Sequence, residues 1–212
     1  MTSSGAAPVR ELEGDDVYRA SSRGPQLVRI PERAFAMIDG RGDPNTSTEY
    51  RDAHEALYSL SYTLKFALKK ELGRSYCVGA LEGLWWADDM TAFALEVKAD
   101  WRWTMMMCQP DDATPERFAR AQDDISRRKP LAALGSVRLE RYTEGLCAQI
   151  MDIGPYSAEG PTIARIHAFI QASGGTFDGR RQKHHETYLS DPRRAAPGKW
   201  RTIIRQPFDS NQ

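Results

Sequence analysis

The residues best suited to chemistry lie near the C-terminal end, in the sequence HHETYLSDP of residues 184–192. Successive side chains of a β-strand point to opposite faces, so a strand here would place Glu186 and Tyr188 on the same face. An acid in a strand beside aromatic residues is unusual, because a buried carboxylate is costly unless it is paired, protonated or able to meet a cation. We therefore treat this glutamate as the main candidate for function.

The segment around this acid predicts a pair of antiparallel strands, over residues 184–208. The Asp191-Pro192 turn and a loop rich in Pro and Gly follow the first strand, and residues 200–205 then alternate again. In this arrangement Glu186 could also pair with Arg205 or Lys199 on the neighbouring strand. That pairing is a purely structural alternative for the acid, and the sequence leaves it open.

The remaining elements predict a mixed α+β fold. A capping box at Thr46-Ser47-Thr48-Glu49 begins a helix that runs to about Leu72, where Gly73 ends it. A Thr114-Pro115 start predicts a second helix, and Gly174-Gly175 ends a third, over about residues 161–173. Strands are expected at residues 76–86, 101–108, 137–142 and 146–153.

The chain shows signs of an internal repeat. Both halves have the order strand, helix, strand, strand, and the spacing from Trp103 to Gln109-Pro110 recurs from Trp200 to Gln206-Pro207. We expect a first repeat at about residues 25–110, a connector helix at 114–129 and a second repeat at about 136–208. Two pseudo-symmetric repeats would form antiparallel sheets with helices on one side and a central ligand cleft, in which Val78 would correspond to Glu186.

Aromatic residues are concentrated in the first half. Four of the five tryptophans lie between Trp85 and Trp103, and on a strand Trp101, Trp103, Met105 and Met107 share one face. Such a stripe forms either protein core or the flat wall of a binding site. The predicted ligand-contacting residues are Trp86, Trp103 and Tyr156, followed by Trp85, Met105, Tyr58 and Tyr62; the two last could instead pack against a sheet.

Composition excludes several classes of protein. The 212 residues include 29 Lys and Arg and 29 Asp and Glu, and a net charge of zero argues against electrostatic attraction to nucleic acid or to an anionic membrane. Residues 1–24 lack the apolar core of a signal peptide and predict a flexible tail preceding one domain at 25–212. Three widely spaced cysteines predict reduced thiols and a cytoplasmic location.

Motifs for cofactors and metals are missing from the sequence. It contains no P-loop, no G-x-G-x-x-G, no H-E-x-x-H and no G-x-S-x-G. His184 and His185 are adjacent, so on a strand they would face opposite sides and could not readily share a metal. We expect neither a metal nor another cofactor.

Three runs resemble the GyrI-like small-molecule-binding family: residues 81–86 (LEGLWW), residues 101–110, and residues 186–194 (ETYLSDPRR). The resemblance spans about residues 26–208, and the family's glutamate-x-tyrosine matches Glu186 and Tyr188. It implies binding of flat aromatic or cationic molecules, since multidrug-sensing members use this kind of glutamate for cationic aromatic ligands. The chain also resembles a tryptophan-rich, stand-alone subgroup that hydrolyses the cyclopropyl ring of DNA-alkylating cyclopropanoid antibiotics.

The subgroup resemblance implies a metal-free hydrolase. Glu186 would orient or deprotonate the attacking water, and Tyr188 would donate a hydrogen bond to the developing phenolate. Two alternatives remain: a drug-binding protein that sequesters or senses its ligand without turnover, and a gyrase-interacting module, which would need an exposed apolar patch. The sequence leaves the natural ligand and the oligomeric state open.

Overall fold

The computed structural model describes residues 8–90 and 97–210. They divide into two compact units: unit 1 combines the described parts of Met1–Glu32 and Thr143–Gln212, and unit 2 is Arg33–Tyr142. The strands are β1 (Arg10–Glu11), β2 (Gln26–Ile30), β3 (Arg33–Arg41), β4 (Leu81–Ala87), β5 (Trp101–Gln109), β6 (Arg138–Tyr142), β7 (Gly145–Ile153), β8 (Gly175–Thr176), β9 (His184–Tyr188), β10 (Arg201–Pro207) and β11 (Asp209–Ser210). The helices are α1 (Thr48–Leu72), α2 (Pro115–Arg128) and α3 (Gly160–Ala172).

Unit 1 is built on strands in the order β1-β2-β7-β10-β9. All neighbours are antiparallel except β1 and β2, which are parallel. Helix α3 covers one face, where its buried Ile166 and Ile170 pack with Ile150 of β7 and Ile204 of β10. The opposite face is covered by Leu12 and Val17 from the N-terminal segment.

Unit 2 is built on the antiparallel order β4-β5-β3-β6. Helix α1 packs on β3 and β5, and α2 packs on α1. The inner side of α1 is apolar at helical spacing, and its buried members include Leu57, Leu60, Leu64 and Leu68. The mixed α+β class predicted from the sequence is therefore confirmed.

Each of the two predicted repeats begins with a strand that lies in a different compact unit from its helix. Residues 25–110 contain β2-β3-α1-β4-β5, and residues 136–208 contain β6-β7-α3-β8-β9-β10, so each stretch has two strands before its helix where the predicted order gave one. Within unit 1, β2 pairs with β7; within unit 2, β6 pairs with β3. The compact units thus do not coincide with the two predicted stretches, 25–110 and 136–208.

Helix α1 has the ends that its sequence indicates, displaced by one residue at the start. Ser47, rather than Thr46, is the N-cap, and its hydroxyl accepts a hydrogen bond of 3.2 Å from the backbone N–H of Tyr50. Gly73 ends the helix with a φ of 66°, a left-handed conformation that favours glycine.

Two predicted segments differ from the structure. Residues 73–80 form no helix or strand and β4 begins at Leu81, so Val78 is not a strand residue and its correspondence with Glu186 has no structural basis. Part of the predicted tail is packed: residues 10–18 contain β1 and a 3-10 turn, with Leu12 and Val17 buried. In the described part of the chain, no helix is both long and apolar enough for a bilayer-spanning segment.

Candidate functional site

Glu186 lies mostly buried in β9, with a hydrogen-bond partner for each carboxylate oxygen. The Tyr188 hydroxyl donates to Oε2 over 2.8 Å, and Nε2 of His184 is hydrogen-bonded to Oε1 over 3.1 Å. The glutamate side chain is 15% exposed and that of His184 is 5% exposed. The three side chains share one face of the strand, as the period of two indicates, and they hold the carboxylate in a fixed orientation.

Arg205, one of the two basic residues considered as a partner for Glu186, pairs with another acid. In the β9–β10 register Arg205 lies opposite His185, so it occupies the other face of the sheet from Glu186. There its guanidinium donates to Glu144 Oε2 over 3.0 Å, and His185 Nδ1 is hydrogen-bonded to Glu144 Oε1 over 2.7 Å. All three side chains are at most 2% exposed.

A second glutamate, which sequence analysis missed, lies beside Glu186. Glu159 precedes α3 as its N-cap residue, is 3% exposed, and makes no capping hydrogen bond through its side chain. Burial, together with the negative charge of Glu186, raises its pKa to about 9. At neutral pH the Glu159 carboxyl is therefore protonated.

A third acid, Asp152, and a threonine, Thr202, lie next to these glutamates. Asp152 on β7 is opposite Thr202 on β10, and Thr202 is in turn opposite Tyr188 on β9. Asp152 Oδ1 accepts a hydrogen bond of 2.5 Å from the hydroxyl of Thr162 in α3. We call the group formed by Glu159, Glu186, Tyr156, Tyr188 and Trp200 the carboxylate site.

Aromatic rings flank these acids within unit 1. The ring of Tyr156 lies 5.5 Å from that of Tyr188 at 74°, and 4.9 Å from that of Trp200 at 37°. Tyr156 is 38% exposed, so one side of this group is open to a ligand. The indole of Trp200 is fixed by a hydrogen bond of 2.8 Å from Nε1 to the carbonyl oxygen of Ala195. The structure thus brings together the predicted residues Tyr156, Tyr188 and Glu186 and adds Trp200.

The aromatic stripe of unit 2 is core, which corrects its prediction as a ligand wall. Trp85 and Trp103 are paired across β4 and β5 and are 3% and 0% exposed, and Met105 is also 0% exposed. The Trp103 ring lies 5.3 Å from that of Tyr50 in α1. Alternation predicted the shared face correctly, but that face lies under a helix and offers a ligand no surface.

Trp86 lies on the other face of the same sheet. It is opposite Arg102 in the register and packs beside the buried Leu84, Met37 and Met106. Because Trp86 and Trp103 face opposite sides, they cannot both contact one flat ligand on this sheet. A ligand contact by the partly exposed Trp86 stays a prediction.

Tyr58 and Tyr62 lie on the outer side of α1. They are 41% and 46% exposed, and Phe66, one turn further, is 62% exposed. The row therefore does not pack against the sheet, which was the structural alternative for it. Its contact with a ligand stays a prediction.

The described residues offer no group of three or more His, Cys, Asp or Glu side chains arranged to hold a metal ion. In the carboxylate site, Glu186 has the hydrogen-bond partners His184 and Tyr188, a second buried acid and aromatic rings nearby. Such surroundings suit an organic cation or a water molecule.

This combination of mixed α+β fold, partly buried acid and aromatic rings defines a small-molecule-binding domain. The family model of the GyrI-like small molecule binding domain matches residues 24–208. The chain belongs to this family.

Solved structures agree with this assignment. A conserved protein of uncharacterised function from Listeria innocua is 37% identical with a TM-score of 0.84, covering 92% of this chain and 97% of its own. A hydrolase from the same organism is 36% identical with a TM-score of 0.81, covering 95% of this chain and all of its own. The C-terminal domain of EcmrR shares only the fold, at 10% identity and a TM-score of 0.52 over 88% of this chain and 97% of its own. No curated protein matches the chain.

Proposed function

We propose that this protein binds flat aromatic or cationic molecules at the carboxylate site and hydrolyses the cyclopropyl ring of DNA-alkylating cyclopropanoid antibiotics. The observation that supports this most is the Glu186 carboxylate, which is 15% exposed and receives one hydrogen bond on each oxygen beside the open ring of Tyr156. A carboxylate held in this way is a suitable base and a suitable partner for a cation. The protein would act in the cytoplasm, in detoxification or self-protection.

Binding would rest on the aromatic rings. Tyr156 and Trp200, tilted by 37° at 4.9 Å, present apolar surface to a planar ligand. The negative charge of Glu186 would add attraction for a cationic ligand, in the way that buried acids and ring faces together recognise organic cations.

Hydrolysis would proceed by attack of water on a ring carbon. Glu186 takes a proton from the water as its oxygen bonds to the carbon, the ring C–C bond breaks, and the electron pair moves through the conjugated system to the carbonyl oxygen. That oxygen becomes a phenol when it takes up the proton, so the sum is addition of one water. Such general base assistance contributes about 10²- to 10⁴-fold, which is useful for a strained electrophile.

In this proposal Tyr188 has a different role from the expected hydrogen bond to the developing phenolate. Its hydroxyl donates to Glu186 Oε2, so its proton points at the base and not at a substrate carbonyl. Tyr188 would orient and stabilise the carboxylate, and the phenolate would receive its proton from protonated Glu186 or from solvent.

The relatives support the hydrolytic part of the proposal. Two solved structures from Listeria innocua, at 35% and 36% identity, are described as hydrolases. At this identity over nearly the whole chain, we expect a shared reaction type. The choice of substrate rests instead on the resemblance to the cyclopropanoid-hydrolysing subgroup.

The test is incubation of the purified protein with a cyclopropanoid while the dienone absorbance is followed. We expect turnover beyond one equivalent, and a loss of at least tenfold in Glu186→Gln with affinity for a neutral ligand retained. Glu13→Gln, an exposed glutamate of the same unit, is the matched control. Protection limited to one equivalent without product would leave the alternative of a sequestering or sensing protein.

One observation favours the second alternative, a protein-interaction module. Tyr58, Tyr62 and Phe66 form an exposed aromatic row on α1, and exposed apolar patches often mark interaction surfaces. If this alternative holds, the protein alters supercoiling by purified DNA gyrase, and Tyr62→Ala abolishes the effect. No effect on gyrase at equimolar concentration would eliminate it.

A further inference from the structure

The indole of Trp200 is held by the loop that precedes it, residues 191–199. Its Nε1 donates a hydrogen bond of 2.8 Å to the carbonyl oxygen of Ala195. The backbone of Trp200 is held separately, because its carbonyl oxygen accepts a hydrogen bond of 3.0 Å from the N–H of Gly154. The orientation of the ring therefore depends on where the loop places the carbonyl group of Ala195.

Asp191 organises this loop through both its backbone and its side chain. Its carbonyl oxygen accepts hydrogen bonds from the N–H groups of Arg194, over 3.0 Å, and Ala195, over 3.1 Å. Its Oδ1 accepts a hydrogen bond of 3.0 Å from the N–H of Arg193, which is a turn that aspartate commonly forms. The guanidinium of Arg193 donates to both carboxylate oxygens, over 2.9 Å each. Two hydrogen bonds thus lead from Asp191 through Ala195 to the indole.

Packing contributes little to the order of the loop. Residues 192–194 and 196–199 are exposed, and the side chains of Arg193 and Arg194 are each 87% exposed. Residues 195–198 read Ala-Ala-Pro-Gly, and such small side chains bury little apolar surface. We therefore attribute the fixed shape of the loop to the hydrogen bonds of Asp191.

The orientation of Trp200 matters because its ring is part of the carboxylate site. It lies 4.9 Å from the ring of Tyr156 at 37°, and Tyr156 in turn lies beside Tyr188. A ring that could turn freely would have to be ordered on ligand binding, and immobilising one such side chain weakens binding by about three- to tenfold. A ring that is already fixed avoids this loss and favours a ligand flat enough to lie against it.

We propose that Asp191 is a positioning residue, which fixes the Trp200 indole through the loop and so gives the carboxylate site a preference for rigid planar ligands. The inference rests on the binding part of the proposed function and does not require hydrolysis. It narrows the ligand class to aromatic cations that can use the fixed indole, in preference to aliphatic cations of the same charge.

The first test needs no ligand. It is the rate at which the Trp200 indole N–H exchanges with solvent, measured by NMR, with the resonance assigned by its loss in Trp200→Phe. Because the hydrogen bond to Ala195 protects this proton, exchange should be about tenfold or more faster in Asp191→Ala than in wild type. Asp191→Asn keeps an oxygen for the N–H of Arg193 and should stay within about threefold of wild type.

The matched control is Asp178→Ala. Asp178 forms a similar turn elsewhere in unit 1, where its Oδ1 accepts hydrogen bonds of 2.8 Å from the N–H groups of Arg180 and Arg181. This variant should exchange the indole proton at the wild-type rate. Unchanged exchange in Asp191→Ala, or equal acceleration in Asp178→Ala, overturns the proposal. Exchange in Asp191→Asn as fast as in Asp191→Ala also overturns it, because the turn would then not be what holds the ring.

The second test compares two cations by calorimetry: ethidium, which is planar and aromatic, and tetrabutylammonium, which has no ring. Asp191→Ala should weaken ethidium binding by about three- to tenfold and change tetrabutylammonium binding by less than about twofold. An equal change for both cations, or no change for either, overturns the proposal. If the wild-type protein binds neither cation, the proposed function is wrong and the preference with it, whereas normal ethidium binding with unchanged indole exchange overturns only the role of Asp191.

Discussion

The hydroxyl of Tyr188 and the Oε2 atom of Glu186 are 2.8 Å apart, and the phenol donates its proton to the carboxylate from two residues along the same strand. Hydrogen bonds to charged groups contribute about 1.5–3 kcal/mol. The phenol therefore does more for the position of the acid than an aromatic contact alone could do.

Tyr188→Phe should lower kcat for a cyclopropanoid by about tenfold or more, since it removes this bond but keeps the ring beside Tyr156. Ligand affinity, measured by calorimetry, should stay near the wild-type value. Tyr142→Phe, the same change on a half-buried tyrosine of β6, should alter neither quantity. A variant that loses affinity but keeps kcat would show that the phenol serves binding.

Tyr156→Ala should weaken binding of a planar aromatic cation by about five- to thirtyfold, because it removes the open ring between Tyr188 and Trp200. Isothermal titration calorimetry gives the affinity directly. Tyr142→Ala, a half-buried tyrosine of β6, is the control and should leave affinity unchanged. An equal loss in both variants would mean that Tyr156 has no particular part in binding.

Gly40→Ala should destabilise unit 2 by about 1–3 kcal/mol in urea denaturation. A Cβ at this position would overlap Cη2 of Trp103, an indole that is itself fully buried. Gly135→Ala is the control, since a Cβ there meets no atom within 4 Å. Equal stability of the two variants would mean that Trp103 has room to move, contrary to its core position.

Glu144→Gln should destabilise the protein by about 3–5 kcal/mol, because it leaves Arg205 and His185 buried without their anion. The charges of His185 and Arg205 overcome the opposing effect of burial and lower the pKa of Glu144 from 4.5 to about 2. Its ionised form therefore stabilises the fold above pH 4.5, and this contribution declines as the pH falls towards 2. Unfolding free energies measured over this range should fall more steeply in wild type than in the variant.

The sequence predicted Glu186, Tyr188 and Tyr156 but missed the second acid, Glu159. Glu186 and Tyr188 are two residues apart, so the strand period alone places them together. Glu159 lies 27 residues earlier on another element, and only the packing of α3 against β10 brings it near. A single sequence contains no signal for that proximity, although Gly160-Pro161 after Glu159 does indicate a helix start.

The tryptophan stripe shows a second limit. Alternation correctly grouped Trp103 with Met105, but it does not tell which face of a sheet lies under a helix and which is open. The same limit applies to strand partners. The pairing of β2 with β7 joins segments from opposite ends of the sequence, and periodicity reports nothing about partners at that distance.

The order in which the chain is made has consequences for that pairing. Unit 2 is one continuous stretch, Arg33–Tyr142, whereas β2 is synthesised before it and β7 after it. At about 5–20 residues per second, β2 waits roughly 5–20 s beyond the ribosome for its partner, with its edge open to other chains. Unit 2 can therefore fold before β7 exists, and the β2 edge stays open until unit 1 can close.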